Sequence, residues 1–413
     1  MKEIKGGVCA AKGFMAGGIR CGIKPGNSNK KDLALIFSLK PCTAAAVFTK
    51  NKVQAACIQV SKENIARCAD GKMRAVIVNS GNANACTGDE GLSAAKRMAF
   101  LASKVLEVDE REVAVASTGV IGVPLPINVI VKNINVLKAS LRDDGQGHAD
   151  ALEAIMTTDT RKKETAFEIE IGGKTVRIGA MAKGSGMIHP DMATMLAFIT
   201  TDAAISSEAL DKCLRKAVNN SFNRLTVDGD TSTNDMVLIM ANGEAGNEQL
   251  TTDGGHEDLK KFESALEVVC ISLAKMIARD GEGATKLISV KLEGASCEKT
   301  ALSLAKSVAS SSLVKAACFG ADANWGRVLC AMGYAGVDFS PEKTDVCFSS
   351  RAGDITVCKS GKAFSFSEEK AKQILSEEEI EIRINMNDGE SIATVWGCDL
   401  TYDYVKINGD YRS

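Results

Sequence analysis

The segment Lys183–Thr200 reads KGSGMIHPDMATMLAFIT, a glycine-rich loop with one proline that runs directly into an apolar stretch. At the junction the small residue Ala193 precedes the hydroxyl residue Thr194. A threonine placed in this way can attack the carbonyl group before it, break the chain and become a new N-terminus. Hydroxyl residues are also common where strands begin, so the spacing alone leaves an ordinary structural threonine as the alternative.

The chemistry of such a threonine favours its own α-amine as the base. A threonine hydroxyl is too weak an acid to attack an acyl carbon unless a base lies beside it. An α-amine titrates near ~7.7–8.0, whereas a lysine side chain titrates near ~10.4 and would need a much lower pKa to do the same. His189, shortly before Thr194, can act as a base or merely shape the turn at Pro190.

The composition is that of an ordinary globular protein. The 413 residues are 45% hydrophobic and 25% charged, which suggests two or three domains. Because 50 basic residues face 52 acidic ones and only 5% of residues are aromatic, we expect no nucleic-acid partner and no anionic membrane surface. No apolar run approaches the ~18 residues of a membrane span.

The fourteen cysteines and three histidines argue against a metal centre. No Cys-x-x-Cys pair occurs in the sequence, so a zinc site or an iron–sulfur cluster is not expected. The start of the chain, Met1–Gly7, has no secretory signal, which predicts a cytoplasmic protein with reduced thiols. His148 lies in polar, glycine-rich surroundings and is predicted to face solvent.

Hydrophobic periodicity predicts a mixture of strands and helices. Helices are predicted at Leu92–Leu106, Ser207–Asn219 and Glu257–Arg279. Strands are predicted at Arg74–Asn79, Glu112–Ala116, Phe167–Ile171, Thr175–Met181, Met195–Thr200, Met236–Ala241, Leu287–Leu292, Asp345–Phe348, Asp354–Cys358 and Ile380–Asn385. Strand pairs beside helix pairs favour a layered α+β architecture over a doubly wound parallel sheet. The pattern becomes denser near residue 285, which predicts a main domain of residues 1–285 and a smaller one of residues 286–413.

Two further motifs can carry chemistry. Ser117–Gly122 follows a predicted strand, and a Thr-Gly step there can aim a hydroxyl and a backbone N–H at one oxyanion, or simply form a turn. Glu282 lies between two glycines, where its carboxylate can bind an amino group, although the segment also reads as the end of a helix.

Four polar segments remain open between a structural and a site-lining role. Asn79–Gly88 can bind a ligand or hold a tight loop through its amides. The alternating acids of Thr226–Asp235 lack the spacing of a calcium loop and predict a structural or site-lining turn. Gly320–Arg327 contains a tryptophan that is either a buried plug or a site wall. Asn408–Ser413 can fold back over a site or fray.

Taken together, these segments resemble the ornithine acetyltransferase family of arginine biosynthesis, also called glutamate N-acetyltransferase. The resemblance runs nearly end to end, and the joint order of its parts is far more specific than any one of them. It rests on Ala10–Lys24, Asn79–Gly88, Thr118–Gly119, Ala154–Thr160, Lys183–Thr200, Thr226–Asp235, Asp280–Lys286, Gly320–Arg327 and Asp399–Ser413.

The resemblance implies the family's layered α/β sandwich, an α+β fold, with a smaller C-terminal domain whose tail returns to the site. It implies self-cleavage between Ala193 and Thr194 into chains of 193 and 220 residues (413 − 193). Thr194 would be the nucleophile, and Thr118 and Gly119 would form the oxyanion hole. The implied substrate-binding residues are Thr157, with Thr158 as the alternative, Lys183, Thr194, Glu282, Asn408 and Ser413. The chain departs from the family at Ser413, where a threonine is expected, and at Ala323, where proline is usual.

The implied reaction is a ping-pong acetyl transfer from N2-acetyl-L-ornithine to L-glutamate through an acetyl ester on Thr194. It needs no metal and no bound cofactor, although acetyl-CoA is a possible co-substrate, and the two chains would assemble into a heterotetramer or a larger complex. Two other functions stay open at this point. One is a related self-processing amidohydrolase or aminopeptidase, in which water accepts the acyl group. The other is a non-enzymatic amino-acid-binding protein with an uncut chain.

Overall fold

The computed structural model describes residues 1–24, 29–68, 71–189, 195–253 and 256–410. Three predicted site residues, Ala193, Thr194 and Ser413, lie outside the described residues. Within the described ranges, no helix is both long and apolar enough to cross a membrane.

The chain forms fifteen strands and eleven α-helices among the residues described. The strands are β1 Lys2–Glu3, β2 Phe14–Ile19, β3 Leu33–Phe48, β4 Met73–Asn82, β5 Val113–Val120, β6 Lys163–Ile171, β7 Lys174–Lys183, β8 Leu196–Thr201, β9 Met236–Ala241, β10 Leu287–Ala295, β11 Asp345–Ser350, β12 Gly353–Lys359, β13 Lys362–Ala363, β14 Glu379–Asn385 and β15 Ser391–Cys398. The helices are α1 Ala56–Arg67, α2 Gly88–Leu106, α3 Ile127–Ala139, α4 Gly145–Ile155, α5 Ser207–Asn220, α6 His256–Arg279, α7 Glu298–Ser310, α8 Ser312–Phe319, α9 Trp325–Gly333, α10 Glu368–Leu375 and α11 Tyr402–Asp410.

The central strands β8 and β9 are buried on both faces. Successive side chains of a strand point to opposite faces of its sheet. In β8, Leu196 and Phe198 join a core built with α1–α4, whereas Ala197 and Ile199 join a second core built with α5 and α6. This alternation places the sheet between two helix-covered cores, which is why the two strands read as continuous apolar runs.

The main sheet has nine strands in the order β1-β6-β7-β8-β9-β3-β4-β5, with β2 also paired to β3. Among the strands that the structure describes, β4–β5 and β8–β9 are parallel pairs, and the other pairs of this sheet are antiparallel. The long strand β3 joins the two halves, because its first part pairs with β2 and β4 and its last part pairs with β9. The prediction of a layered α+β fold is confirmed.

A second sheet begins at Leu287 and has the order β13-β12-β11-β14-β10-β15. It carries a third core with α7–α10. Leu287, Trp396 and Cys398 nevertheless belong to the same core as α6 of the main sheet. The domain boundary at residue 285 stays a prediction, since the two sheets share apolar contacts across it.

The prediction that His148 faces solvent is wrong. Its side chain is 2% exposed; its Nδ1 accepts a hydrogen bond from the Val8 N–H at 3.3 Å, and its Nε2 lies 2.5 Å from a Glu164 carboxylate oxygen. The glycine-rich surroundings hid a helical period, because His148 lies on the same face of α4 as the buried Leu152 and Ile155.

Candidate active site

One cavity of about 230 Å³ brings together every predicted catalytic or substrate-binding residue that the structure describes. Met195, the chain neighbour of Thr194, also lines it. The predicted residues in its wall are Thr118, Gly119, Thr157, Lys183, Glu282 and Asn408, and the alternative Thr158 lies there too. The remaining lining residues come from Ala83, Ile121, Gly186–Ile188, Leu196 and Ser232–Asp235.

The end of β5 places Thr118 and Gly119 in the cavity wall. Gly119 pairs with Gly81 of β4 so closely that a Cβ on Gly119 would lie 2.3 Å from the Gly81 carbonyl carbon. Its φ of +133° is also in the left-handed region, so only glycine fits there. The Thr118 hydroxyl accepts a hydrogen bond from Lys183 Nζ at 3.2 Å, which leaves its own proton free to point elsewhere.

Lys183 is a buried cation at the end of β7. Burial lowers its pKa below that of an ordinary lysine, although the carboxylates of Asp159, Asp235 and Glu282 oppose that shift. The nearby Lys163 ammonium lowers it further. An anionic group that enters the cavity would therefore gain a partner and stabilise the charged form of this amine.

Glu282 is held over the cavity by contacts with the glycine-rich loop and with the C-terminal helix α11. Its backbone N–H donates to the Ser185 carbonyl at 2.9 Å, and its carboxylate packs so closely on Gly186 that a Cβ there would lie 2.3 Å from it. Asn408 Nδ2, on the C-terminal helix α11, donates to the Glu282 carboxylate at 2.8 Å. The Thr401 hydroxyl anchors the start of this helix to the Gly283 carbonyl at 2.7 Å. Asn408 of helix α11 therefore completes the wall.

The acidic loop Thr226–Asp235 is a structural support and also lines the cavity. Asp228 accepts hydrogen bonds from the backbone N–H groups of Met187 and Ile188 at 2.6 and 2.8 Å, which shapes the glycine-rich loop. Asp235, at its end, is 2% exposed, and one of its carboxylate oxygens has no hydrogen-bond partner among the described residues. Burial raises its pKa well above the ordinary value, against the opposing charge of Lys183.

A buried ion cluster behind the cavity was missed by sequence reasoning. Lys163 Nζ lies 2.7 Å from Asp159 and 2.5 Å from Asp280, and the three side chains are 0–2% exposed. Asp159 also accepts from the backbone N–H groups of Thr157 and Gly184 at 3.0 and 2.7 Å. In the sequence, the charged residues around Lys163 are typical of a solvent-exposed segment. Only the four-residue spacing of Asp159 and Lys163 indicates an ion pair.

The other polar segments have structural contacts. The Asn84 amide donates to the Gly91 carbonyl at 2.8 Å, so the Asn79–Gly88 segment holds a tight loop, and its Ala83 also lines the cavity. His189 Nδ1 lies 3.0 Å from the Thr226 hydroxyl. Trp325 packs against the third core and is not among the lining residues of the cavity. In the part of the chain that the structure describes, no three side chains form a group suited to a metal ion.

The chain is similar to known proteins over its whole length. Residues 15–413 match the ArgJ family. It is 52% identical to the arginine biosynthesis bifunctional protein ArgJ of Symbiobacterium thermophilum and 49% identical to the protein of that name from Caldanaerobacter subterraneus, each over 413 residues that cover 100% of both chains. A crystal structure of arginine biosynthesis bifunctional protein ArgJ from Bacillus halodurans is 47% identical, with a TM-score of 0.49, and covers 52% of this chain and 98% of that one.

Proposed function

The chain belongs to the ArgJ family, and on this premise we propose that it transfers the acetyl group of N2-acetyl-L-ornithine to L-glutamate through an acetyl ester on Thr194. It is an acyltransferase of arginine biosynthesis. The products are L-ornithine and N-acetyl-L-glutamate.

The observation that carries the proposal is the juxtaposition of Lys183, Glu282 and the Thr118–Gly119 strand end around one cavity beside Met195. Both substrates carry an α-carboxylate, for which the buried ammonium of Lys183 is the natural partner. Acetylornithine also has a side-chain ammonium, which the Glu282 carboxylate can bind. Charges of opposite sign at two places in the cavity would orient an amino-acid substrate with its acetyl group toward the nucleophile.

The proposed reaction begins with self-cleavage. The Thr194 hydroxyl attacks the Ala193 carbonyl carbon, the Ala193–Thr194 peptide bond breaks as an ester forms, and water hydrolyses that ester. The products are a 193-residue chain with a free carboxyl group and a 220-residue chain (413 − 193) that begins with the α-amine of Thr194. We propose that the two chains stay associated and form a heterotetramer or a larger complex.

Acetyl transfer then takes two steps. The Thr194 α-amine accepts the hydroxyl proton as the oxygen attacks the acetyl carbon, and it gives that proton to the departing α-nitrogen of ornithine. The α-amine of glutamate next attacks the acetyl ester, and its proton returns by the same route to the Thr194 oxygen. In both steps the tetrahedral oxyanion accepts hydrogen bonds from the Thr118 hydroxyl and the Gly119 N–H, which stabilise the transition state more than the ester.

Intact mass spectrometry before and after incubation with N-acetylornithine tests the proposal. We expect two chains cut between Ala193 and Thr194, and one acetyl group added to the larger chain and removed again by glutamate. Thr194→Ala should leave one uncut, inactive chain. An active single chain, or an acetyl group on the smaller chain, would rule out the proposed role of Thr194. Release of free acetate in place of N-acetylglutamate would favour the amidohydrolase alternative.

A second activity is suggested by the relatives, which are named bifunctional. We propose that acetyl-CoA also donates an acetyl group to Thr194, so that glutamate is acetylated without acetylornithine. Release of free CoA in the presence of glutamate alone measures this activity, and no release above the Thr194→Ala background would reject it.

We also propose that catalysis needs no bound metal or cofactor, so activity should survive exhaustive dialysis against a chelator. All fourteen cysteines are free, which supports the proposed cytoplasmic location.

A further inference from the structure

Asn234 connects two segments that meet at the proposed oxyanion hole. Its Nδ2 donates to the Ala83 carbonyl at 2.6 Å and to the Ser117 carbonyl at 2.9 Å, and it lies 3.7 Å from Cys57 Sγ. Its Oδ1 accepts from the Thr233 hydroxyl at 2.5 Å. Both N–H groups of the amide thus have a carbonyl acceptor, and the residue is only 5% exposed.

The two carbonyl groups lie on either side of the place where the strand pairing is irregular. Ser117 directly precedes Thr118, and Ala83 follows the end of β4. The register of β4 and β5 shifts at Gly81 and Asn82, opposite Gly119. A regular ladder cannot fix the backbone at such a shift, so the geometry there depends on other hydrogen bonds. Asn234 supplies two of them from a third segment of the chain.

We propose that Asn234 is a positioning residue, which holds the end of β5 so that the Thr118 hydroxyl and the Gly119 N–H point at one oxyanion. The inference rests on the proposed function, because the oxyanion arises in the proposed acetyl transfer. Asn234 also lines the cavity, but its amide N–H groups are bonded to the two backbone carbonyls, so it acts through the strand end. Oxyanion donors work only when they are fixed before the charge develops, so a small displacement of this strand end should slow catalysis while the binding groups Lys183 and Glu282 stay in place.

The substitution Asn234→Asp keeps the size of the side chain but replaces the donor with an oxygen that faces two carbonyl oxygens. We expect kcat for acetyl transfer to fall by about 10²-fold, as for a displacement of about 1 Å, with little change in KM for N-acetylornithine. The ratio of variant to wild-type kcat should rise as the pH is lowered, since a protonated carboxyl group can again donate to one carbonyl.

Asn64→Asp is a matched control at the other end of the same strand. Asn64 Nδ2 also bridges two carbonyl groups, those of Val113 at 2.9 Å and Glu110 at 3.3 Å, and the residue is 7% exposed. We expect this variant to lose thermal stability as much as Asn234→Asp does but to keep the wild-type kcat. If both variants lose thermal stability but keep the wild-type kcat, or if both lose kcat equally, Asn234 has only a structural role and the proposal is wrong.

A second variant, Asn234→Ser, covers the case in which Asn234→Asp does not fold, because it removes both hydrogen bonds without adding a charge. It should show the same loss of kcat without the recovery at low pH, and a wild-type kcat would overturn the proposal. A wild-type enzyme that transfers no acetyl group would instead overturn the proposed function. The two failures are therefore distinguishable.

Discussion

The buried ion cluster behind the cavity predicts a large loss of stability when the ammonium group of Lys163 is removed. Lys163 Nζ lies 2.7 Å from Asp159, 2.5 Å from Asp280 and 3.2 Å from the Arg161 carbonyl, with no side-chain surface exposed. Lys163→Met keeps a similar length of side chain, so it removes the ammonium group that is paired with both buried carboxylates and creates little empty space.

The expected loss of unfolding free energy is about 3–5 kcal/mol, the usual cost of breaking a buried ion pair by removing one partner. For 413 residues that unfold together, an unfolding entropy of about 2.1 cal/mol/K per residue sums to roughly 0.9 kcal/mol/K. The melting temperature should therefore fall by about 3–6 °C.

The loss of unfolding free energy in Lys163→Met should become smaller at low pH. Burial alone would raise the pKa of Asp159, but the ammonium groups of Lys183 and Lys163 outweigh it and hold that pKa well below its ordinary value. A depressed pKa contributes stability above the unfolded-state value of about 3.9, and this contribution is lost as the pH falls through the folded-state value. The difference in stability between wild type and variant should therefore be largest near neutral pH and should narrow as the pH falls below about 4.

Differential scanning calorimetry at one scan rate measures the shift, with Lys162→Met as the control. Lys162 is the exposed neighbour of Lys163 and loses the same charge, so its variant should stay within about 0.5 kcal/mol of wild type. A Lys163→Met protein that melts within about 1 °C of this control near neutral pH would refute the reasoning, because the carboxylates would then be adequately held by backbone N–H groups.

Three further predictions concern the cavity. Thr118→Ala should lower kcat by about 10²–10³-fold while the new N-terminus at Thr194 still forms, and unchanged turnover in steady-state assays would reject the oxyanion role. Glu282→Gln should raise KM for N-acetylornithine by about 10–100-fold, the value of one charged hydrogen bond, whereas an unchanged KM would mean that the substrate ammonium binds elsewhere. Because burial lowers the pKa of Lys183, wild-type KM should rise with pH below the ordinary lysine value of 10.5, and Lys183→Arg should move that rise to higher pH. A wild-type KM that is constant up to about pH 10 would contradict this assignment.

The local spacing of apolar residues was sufficient to predict strands and helices such as β9 and α6. The predicted strand Met236–Ala241 coincides with β9, and the predicted helix Glu257–Arg279 begins one residue after α6 does. Both depend on the spacing of apolar residues within a short window, which a single element determines. The long strand β3, Leu33–Phe48, carried no such signal, because its two parts serve different partners and its middle, around Cys42, departs from regular pairing.

The sequence predicted which residues belong to the site but not how they are arranged in space. Thr118, Lys183, Glu282 and Asn408 were identified from the order of family-like segments, and the cavity gathers all four. Their roles stay predictions until the variants are measured. The polarity of Asn408–Ser413 was compatible with fraying, and only the hydrogen bond from Asn408 to Glu282 shows that Asn408 lies at the cavity.

The amino-acid sequence by itself determined the fold class, the elements with a clear period and the family to which the chain belongs. The tertiary structure alone decided which groups face each other. Lys163 meets Asp280, and Asn234 meets the Ser117 carbonyl, across 117 residues in each case. Such contacts leave no local pattern, because a charge or an amide looks the same in sequence whether it will be solvated or buried. Its partner, and hence its pKa and its role, exist only after distant segments have packed together.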